Sequence, residues 1–388
     1  MPGFSQLPPL SLYIHFPWCL QKCPYCDFNS HEVKRKIPES EYINALIQDL
    51  ENDLPKVWGR RVSSIFIGGG TPSLLQAESI DFLLSSIRAR IPLSPNAEIT
   101  MEANPGSMEN KRFSEFQEAG INRLSIGIQS FNDKHLKALG RVHNAEEAQG
   151  AIENALSAKF NSVNLDLMFA LPGQTLEEAS CDIETAISFG TEHLSYYQLT
   201  LEPNTAFYSN PPSLPEHELS WDIFNNGINV LAAAGLERYE ISAYAKGDKK
   251  CRHNENYWQF GDYLGIGAGA HAKITDANEQ SIARYRKLKN PKDYLSSAAT
   301  NDFISGQHIL NQPEIVFDFL LNGLRLTDGF DVALFELHTG LAEQVLKDTL
   351  GDAVNKGLVK YDFFGKSYRT TEKGRDFLDD VLQNCLPD

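Results

Sequence analysis

The sequence is poor in positive charge and in long apolar runs. Its 388 residues include 35 Lys and Arg against 51 Asp and Glu, which gives a net charge of −16. An acidic surface argues against a partner such as a nucleic acid or an anionic membrane. Charged residues interrupt the longest apolar stretches, so we expect no transmembrane helix and no stable membrane insertion. No secretory signal peptide is recognisable, which favours a cytoplasmic location.

Cysteine is also scarce, but three of the six cysteines lie close together. Cys19, Cys23 and Cys26 have the spacing C-x3-C-x2-C in the run HFPWCLQKCPYCDF. Three thiolates on one loop suit a [4Fe-4S] cluster bound through three of its four irons, and the open iron can bind a small molecule. Closed zinc sites normally need four ligands, and three clustered cysteines cannot all pair locally as disulfides. The remaining cysteines are isolated in sequence: Cys181, Cys251 and Cys385.

Strand-like and helix-like patterns alternate over roughly the first 240 residues. The predicted strands are Leu10–Phe16, Ser63–Ile67, Glu98–Glu102, Leu124–Ile128, Val163–Ala170 and His193–Leu201. The predicted helices are Glu39–Leu54, Ile80–Ile91, Arg112–Ala119, Ala145–Ala158, Glu177–Phe189 and Leu219–Ala234. Six such units predict an α/β fold with a parallel sheet and right-handed crossovers, and they are too few to close an eight-stranded barrel.

Polar residues and glycines stand where these predicted strands end. The run IFIGGGTPSLL places three glycines after the second strand, and Glu102, Asn104 and Gln129 end the next two. Asp166 lies within the fifth strand. Each of these side chains alone would most simply satisfy a neighbouring backbone group. Several at equivalent strand ends instead predict a ligand pocket at that edge of the sheet.

The rest of the chain departs from this alternation. We divide the sequence into a tail at 1–9, a core at 10–245, a connecting segment at 246–305 and a C-terminal domain at 306–388. In the last part, helices are predicted at Glu314–Leu324 and Leu341–Asn355, then the strand pair LVKYD and SYRTT, and a helix from Glu372. This order is winged-helix-like, but the sequence lacks the basic surface that DNA binding needs, so a structural or covering role is favoured.

The run YIHFPWCLQKCPYC and the following glycine triplet resemble the radical S-adenosylmethionine (SAM) superfamily. Nearly the whole chain resembles its oxygen-independent coproporphyrinogen III oxidase family. The resemblance implies a partial (β/α)6 barrel with a HemN-like C-terminal domain, and SAM bound to the open iron of a cluster on the three clustered cysteines. It also implies SAM contacts from Tyr13, Tyr25, Gly69, Gly70, Thr71, Glu102, Gln129, Arg141 and Asp166. For Arg141, the alternative is an ordinary surface salt bridge.

Two features separate the branches of that family. Its HemN-type enzymes carry a fourth cysteine, C-x3-C-x2-C-x-C, where this sequence has Phe28. The run HNENYW matches the HNxxYW signature of the HemW branch, which is associated with haem. The resemblance therefore offers haem contacts at His253, Tyr257, Trp258 and Cys251, with His271 as a further ligand candidate. The alternative is a polar turn in which His253 and Asn254 cap a helix while the aromatic residues pack in the core.

The resemblance implies a haem chaperone that delivers haem to acceptor proteins such as respiratory enzymes. The cluster and SAM would support assembly, with a homodimer left open. The alternative is an enzyme that decarboxylates the propionates of coproporphyrinogen III, which the missing fourth cysteine disfavours. A third hypothesis is radical chemistry on another substrate. The sequence assigns no catalytic residue and leaves productive cleavage of SAM open.

Overall fold

The computed structural model describes residues 3–4, 6–106 and 112–387. Its strands are, in chain order, β1 (Leu10–Phe16), β2 (Trp18–Cys19), β3 (His31–Glu32), β4 (Val62–Gly69), β5 (Leu93–Ala103), β6 (Arg123–Gln129), β7 (Ser162–Phe169), β8 (His193–Gln198), β9 (Glu237–Arg238), β10 (Ala243–Ala245), β11 (Asp262–Ile266), β12 (His271–Asp276), β13 (Ser281–Lys287), β14 (Ile304–Ile309), β15 (Phe330–Asp331), β16 (Val359–Asp362) and β17 (Ser367–Thr370).

The α-helices of the described residues connect and cover these strands. They are α1 (Glu39–Asp53), α2 (Ala77–Arg88), α3 (Phe113–Glu118), α4 (Asp133–Ala138), α5 (Ala145–Ser157), α6 (Leu176–Ser188), α7 (Ala206–Ser209), α8 (His217–Ala233), α9 (Arg252–Trp258), α10 (Pro291–Ser297), α11 (Gln312–Gly323), α12 (Val332–Thr339), α13 (Glu343–Asn355), α14 (Glu372–Asp376) and α15 (Leu378–Gln383). Short 3-10 helices follow α1 at Leu54–Val57 and β4 at Pro72–Leu74.

Six parallel strands, β1 and β4 to β8, lie side by side in chain order, and the α/β prediction of a partial (β/α)6 barrel is confirmed. The face of these strands that the helices cover is apolar, whereas the alternating side chains of the other face include buried polar residues such as Ser64, Thr100 and Asn164. Helix ends differ from the predictions by a few residues because polar caps, not apolar periodicity, fix them. For example, the Thr175 side chain accepts a hydrogen bond from the Glu178 amide, so α6 begins at Leu176.

The segment 246–305 extends the same sheet. Strand β11 pairs in parallel with β1, and β12, β13 and β14 continue the sheet as antiparallel neighbours. On the opposite side, β10 and β9 add two short antiparallel strands next to β8. Helix α9, which carries the HNENYW run, contacts β1, β4 and β11. The predicted connecting segment is therefore a structural part of the barrel wall.

The C-terminal residues form a second apolar cluster with a three-stranded sheet, β15-β17-β16. The predicted helices and strand pair are present. The prediction missed α12, which ends where Gly340 adopts a left-handed φ of 68°. Of the predicted tail, residues 1, 2 and 5 lie outside the described residues. Phe4 is buried in the C-terminal cluster, and the Gly3 amide donates to the Gly340 carbonyl at 2.8 Å.

No helix within the described ranges is long and apolar enough to cross a lipid bilayer.

Candidate functional site

The clustered cysteines lie on a loop at the edge where the six parallel strands end. The short strands β2 and β3 pair across the base of this loop. The Asn29 side chain donates to the carbonyls of Ala268 and Lys289, each at 2.9 Å, and the Phe207 amide donates to the Pro24 carbonyl at 2.9 Å. Three separate parts of the wall therefore hold the loop.

A pocket of about 140 Å³ lies beneath this loop. It brings together the three cysteines and eight of the nine residues that the resemblance assigns to SAM: Tyr25, Gly69, Gly70, Thr71, Glu102, Gln129, Arg141 and Asp166. The ninth, Tyr13, lines the adjoining larger cleft. Residues up to 147 positions apart thus meet in one place, as the strand-end pattern predicted.

The thiols surround the pocket and do not converge on one point. In the part of the chain that the structure describes, no three His, Cys, Asp or Glu side chains are arranged around a single ion. A cubane cluster has a different requirement, since each thiolate binds a separate iron. Burial raises the pKa of Cys19 and of Cys26, so binding a metal there must displace protons. The donor set therefore fits a cluster.

The glycine triplet closes one wall of the pocket at backbone distance. A Cβ atom on Gly69 would lie 2.4 Å from the His15 ring, and one on Gly70 would lie 2.5 Å from the Trp18 carbonyl oxygen. Gly69 also has a φ of 109°, which side chains rarely allow. The Gly69 amide donates to Glu102 Oε2 at 3.0 Å. Only glycine fits these two positions.

Two half-buried carboxylates, Glu102 and Asp166, face the pocket. Burial raises the pKa of Glu102 to about 7, with a smaller increase from the charge of Asp166 and an opposing effect of the Gly69 amide. Burial also raises the pKa of Asp166, although Asn164 and Ser125 donate to its carboxylate at 2.8 and 3.2 Å. The charged form of Glu102 has no cation beside it among the described residues, so a ligand cation would stabilise it.

Arg141 enters the pocket from the side of β6. Its guanidinium donates to Asn104 Oδ1 and to the Gly127 carbonyl, each at 2.8 Å, and lies 3.6 Å from Cys23 Sγ. A surface salt bridge, the alternative considered from sequence, is not what the structure contains at this residue. The buried Nε atom has no hydrogen-bond partner in the described residues. A guanidinium so placed can bind a ligand carboxylate.

Among the pocket residues absent from the expected SAM set are Asn104 and Tyr197. Asn104 joins Arg141 to the glycine loop, since its Nδ2 donates to Thr71 Oγ1 at 3.1 Å. Tyr197, at the end of β8, donates its hydroxyl to Gln129 Oε1 at 2.7 Å. Residues at strand ends were expected to line a pocket, and Asn104 was named among them. No residue of the predicted sixth strand was named, so Tyr197 was missed.

A larger cleft of about 600 Å³ adjoins the cysteine pocket and shares Cys26, Phe28, Gly69 and Glu102 with it. Its lining combines three tyrosines with basic groups: Tyr13, Tyr257, Tyr263, Lys22, His271 and Lys289. The volume lies within the roughly 300–1,000 Å³ of small-molecule sites.

The HNENYW run lies at the opposite end of the barrel from the cysteine loop, with only Tyr257 reaching the cleft. His253 is 2% exposed, bonds Ser64 Oγ through Nδ1 at 3.1 Å, and has a pKa lowered by burial to about 3. Cys251 is fully buried and lies 3.6 Å from Glu98 Oε1. Trp258 packs against the Arg325 guanidinium. The run forms helix α9 with Cys251 at its N-cap, so His253 and Asn254 lie within the helix and do not cap it, and Tyr257 and Trp258 are half-buried.

Comparison with known proteins agrees with this site. Residues 13–183 match the Radical SAM superfamily, and residues 310–377 match the HemN C-terminal domain. The fold and the cysteine pocket thus define a radical SAM protein, a class whose members bind a [4Fe-4S] cluster and SAM.

Similarity to individual proteins assigns the chain to one family within this class. Heme chaperone HemW of Escherichia coli (strain K12) is 47% identical over 381 residues, which cover 98% of this chain and 99% of that protein. Heme chaperone HemW of Haemophilus influenzae is 48% identical over 385 residues, with the same coverage. The chain belongs to the HemW family. The solved coproporphyrinogen III oxidase (HemN) from Escherichia coli has a TM-score of 0.81 at 23% identity, covers 98% of this chain and 90% of its own, and shares the fold.

Proposed function

We propose that the chain is a haem chaperone, which binds haem and a SAM-ligated [4Fe-4S] cluster and passes haem to acceptor proteins. The observation that carries the proposal is the 47% identity to heme chaperone HemW over 98% of the chain. The open cleft beside the cysteine pocket supports it, because a chaperone must release its ligand and therefore needs an accessible site. The acceptors would be haem-dependent proteins, such as respiratory enzymes, met in the cytoplasm.

Cys19, Cys23 and Cys26 would hold the cluster, which supplies an electron for cleavage of SAM when it is reduced. The ionised Glu102 would accept hydrogen bonds from the SAM amino group. Arg141 would bind the SAM carboxylate with help from Gln129, and Asp166 would accept from the ribose hydroxyls. The glycine loop and Tyr25 would complete the wall through backbone contacts. In a chaperone these groups position SAM and exclude water, and turnover of SAM need not accompany each haem transfer.

An oxygen-independent coproporphyrinogen III oxidase is the second candidate, and the shared fold favours it. Phe28 argues against it, since that position holds the fourth cysteine in the resemblance. The side chain is 57% exposed and borders both the pocket and the cleft. A phenyl ring there cannot supply a thiol to the reaction.

The test is an anaerobic haemin titration of the cluster-reconstituted chain, followed by Soret absorption and then by transfer to an apo-haem protein. Saturation near one haem per chain, with subsequent loss to the acceptor, is expected. Absence of saturable binding would overturn the proposal. Formation of protoporphyrinogen from coproporphyrinogen III, in amounts stoichiometric with 5′-deoxyadenosine, would establish the second candidate instead.

A further inference from the structure

The larger cleft contains a histidine that is available to a metal. His271 begins β12 and is exposed, and within the described residues neither ring nitrogen makes a hydrogen bond. Burial of part of the ring, together with Lys289, Arg286 and Arg284, lowers the pKa of His271, which favours the neutral form that ligates metals. An unengaged neutral imidazole on the wall of a cavity is a ready axial ligand for haem iron.

The other histidine in this cleft, His15, already has a hydrogen-bond partner at each ring nitrogen. His15 is 5% exposed, its Nδ1 lies 3.0 Å from the Tyr13 hydroxyl, and its Nε2 lies 2.9 Å from the Asn29 carbonyl oxygen. His253 lies beneath the cleft floor, outside its lining. The sequence motif and the cleft thus offer different histidines, and the exposed one lies outside HNENYW.

The floor of the cleft is aromatic. Tyr257 and Tyr263 have ring centroids 4.4 Å apart, and Tyr13 stacks on Phe66 at 6.3 Å. Beneath them, the His253 ring contacts Phe66 at 5.1 Å and Tyr257 at 5.1 Å. Such a column offers a porphyrin face a rigid apolar surface. The HNENYW helix contributes this floor through Tyr257.

Cations border the cleft although the whole chain has a net charge of −16. Lys22 and Lys289 line it. Arg286 on β13 stands opposite His271 on β12 in the register of the two antiparallel strands. The Lys22 ammonium donates to the carbonyls of Phe28 and Ser30 at 3.0 and 3.3 Å, which holds it in place. The cleft also includes the carboxylates of Asp27 and Glu102, the latter where it meets the cysteine pocket. Two lysines at a cleft with an aromatic floor suit a planar ligand with carboxylate substituents.

We propose that this cleft is the haem site, with His271 as the axial ligand of the iron and with Lys22 and Lys289 paired to the propionates. The assignment rests on the proposed chaperone function. The HNENYW helix acts as a positioning element that supports Tyr257 from beneath, and His253 does not ligate iron. Since the cleft shares Cys26 and Glu102 with the cysteine pocket, haem bound here adjoins the cluster and SAM.

The test is an anaerobic haemin titration of the cluster-reconstituted full chain with three histidine variants. We expect His271→Ala to weaken binding at least tenfold and to change the Soret maximum. The matched control is His308→Ala, whose imidazole is 57% exposed and pairs with Glu314 outside the cleft, and it should bind as the parent does. His253→Ala should keep the spectrum of the parent complex even if its affinity falls.

A ligand exchange guards against misfolding of the alanine variant. His271→Cys should convert the spectrum to that of a thiolate-ligated haem, and free imidazole should restore the parent spectrum in His271→Gly. If the parent binds haem and His271→Ala gives the same affinity and spectrum, this inference is wrong and the chaperone proposal stands. If the parent binds no haem, the chaperone proposal itself fails.

The propionate contacts have their own test. Replacing both Lys22 and Lys289 with alanine should weaken haemin binding by about twofold to fivefold for each lost partly solvated pair. The same replacements should leave the affinity for haemin dimethyl ester unchanged, because the ester carries no carboxylate. Equal losses for haemin and for its ester would overturn the lysine assignment.

Discussion

The two ends of the barrel hold carboxylates whose pKa values shift in opposite directions, one fully buried and one half-buried. At the closed end, where the parallel strands begin and α9 lies, Asp262 accepts from Lys273 at 2.9 Å and from Arg60 at 2.7 Å. Burial alone would raise its pKa, but Lys273 and Arg60 lower it below its ordinary value. At the open end, where the strands finish under the cysteine loop, the pKa of Glu102 is raised to about 7 by burial.

This difference separates a carboxylate with a structural role, Asp262, from one that can bind a ligand, Glu102. Asp262 also accepts from Thr275, through both the amide and the hydroxyl, so its charge is neutralised within the protein. Glu102 has one hydrogen bond from the Gly69 amide and borders a cavity. A buried carboxylate left without a cation costs stability, and such a cost is typical of sites that await a ligand.

The largest effect is expected at the closed end, from Asp262→Asn. The substitution keeps the shape but leaves Lys273 and Arg60 buried without an anion, so the free energy of unfolding should fall by about 3–5 kcal/mol. Because the folded pKa is lowered, the stabilisation by Asp262 is present above its unfolded pKa and disappears as the pH falls through the folded one. Urea unfolding of the cluster-free chain, from pH 7 downwards, measures both.

The matched control for this experiment is Glu51→Gln, which removes a carboxylate paired with Arg90 at the surface, where the side chains are 47% and 30% exposed. Its effect should be below about 1 kcal/mol. Similar losses in the two variants would contradict the view that the closed end depends on buried charge pairing.

His253→Ala should destabilise the closed end by about 2–4 kcal/mol, because it empties a buried site between Phe66 and Tyr257. The folded pKa of His253 is lowered to about 3, so the ring is neutral in the folded chain. Its contribution is therefore present above the unfolded pKa and is lost as the pH falls from about 6.5 towards 3. His308→Ala, at the surface, should change little. An unchanged unfolding midpoint in His253→Ala would show that α9 packs differently.

At the open end, Glu102→Gln should raise the stability of the cluster-free chain by about 3 kcal/mol at pH 8.5. With a raised folded pKa, the favourable contribution of Glu102 is present below its unfolded pKa and is lost as the pH rises through about 7. The advantage of the variant should therefore vanish near pH 4.

The parent should gain thermal stability on adding SAM to the cluster-loaded chain, and its SAM affinity should weaken below pH 7. Glu102→Gln should lose that gain, and a retained gain would contradict the role of Glu102.

The same contrast explains what the sequence could predict. The open end is built from local patterns, since polar residues or glycines stand at or near the ends of several strands, and cysteine spacing identifies its loop. Those patterns placed Glu102, Gln129 and Asp166 correctly in one pocket. Tyr197 was missed because a tyrosine within a strand is as typical of the apolar core as of a ligand site.

The closed end depends on contacts between distant segments. Helix α9 enters the barrel end because Glu98 accepts from the amides of Arg252 and His253 at 3.3 and 3.1 Å, across more than 150 residues. No local pattern encodes that contact. The HNENYW motif therefore suggested a haem ligand at His253, whereas the structure places the exposed imidazole of His271 at the cleft.

The smallest effect on stability, and the largest on iron content, is expected from Cys19→Ala. Cys19 is partly exposed on the cysteine loop, so the cluster-free chain should lose less than about 1 kcal/mol. Reconstituted iron and sulfide should fall to background, measured by metal analysis and by the cluster absorbance. Cys181→Ala, at an exposed cysteine away from the loop, should keep its iron. Cys251→Ala should also keep its iron but lose stability, because that thiol is fully buried at the closed end. If Cys251→Ala lost its iron while its stability was unchanged, the assignment of cluster binding to the open end and of structural packing to the closed end would be wrong.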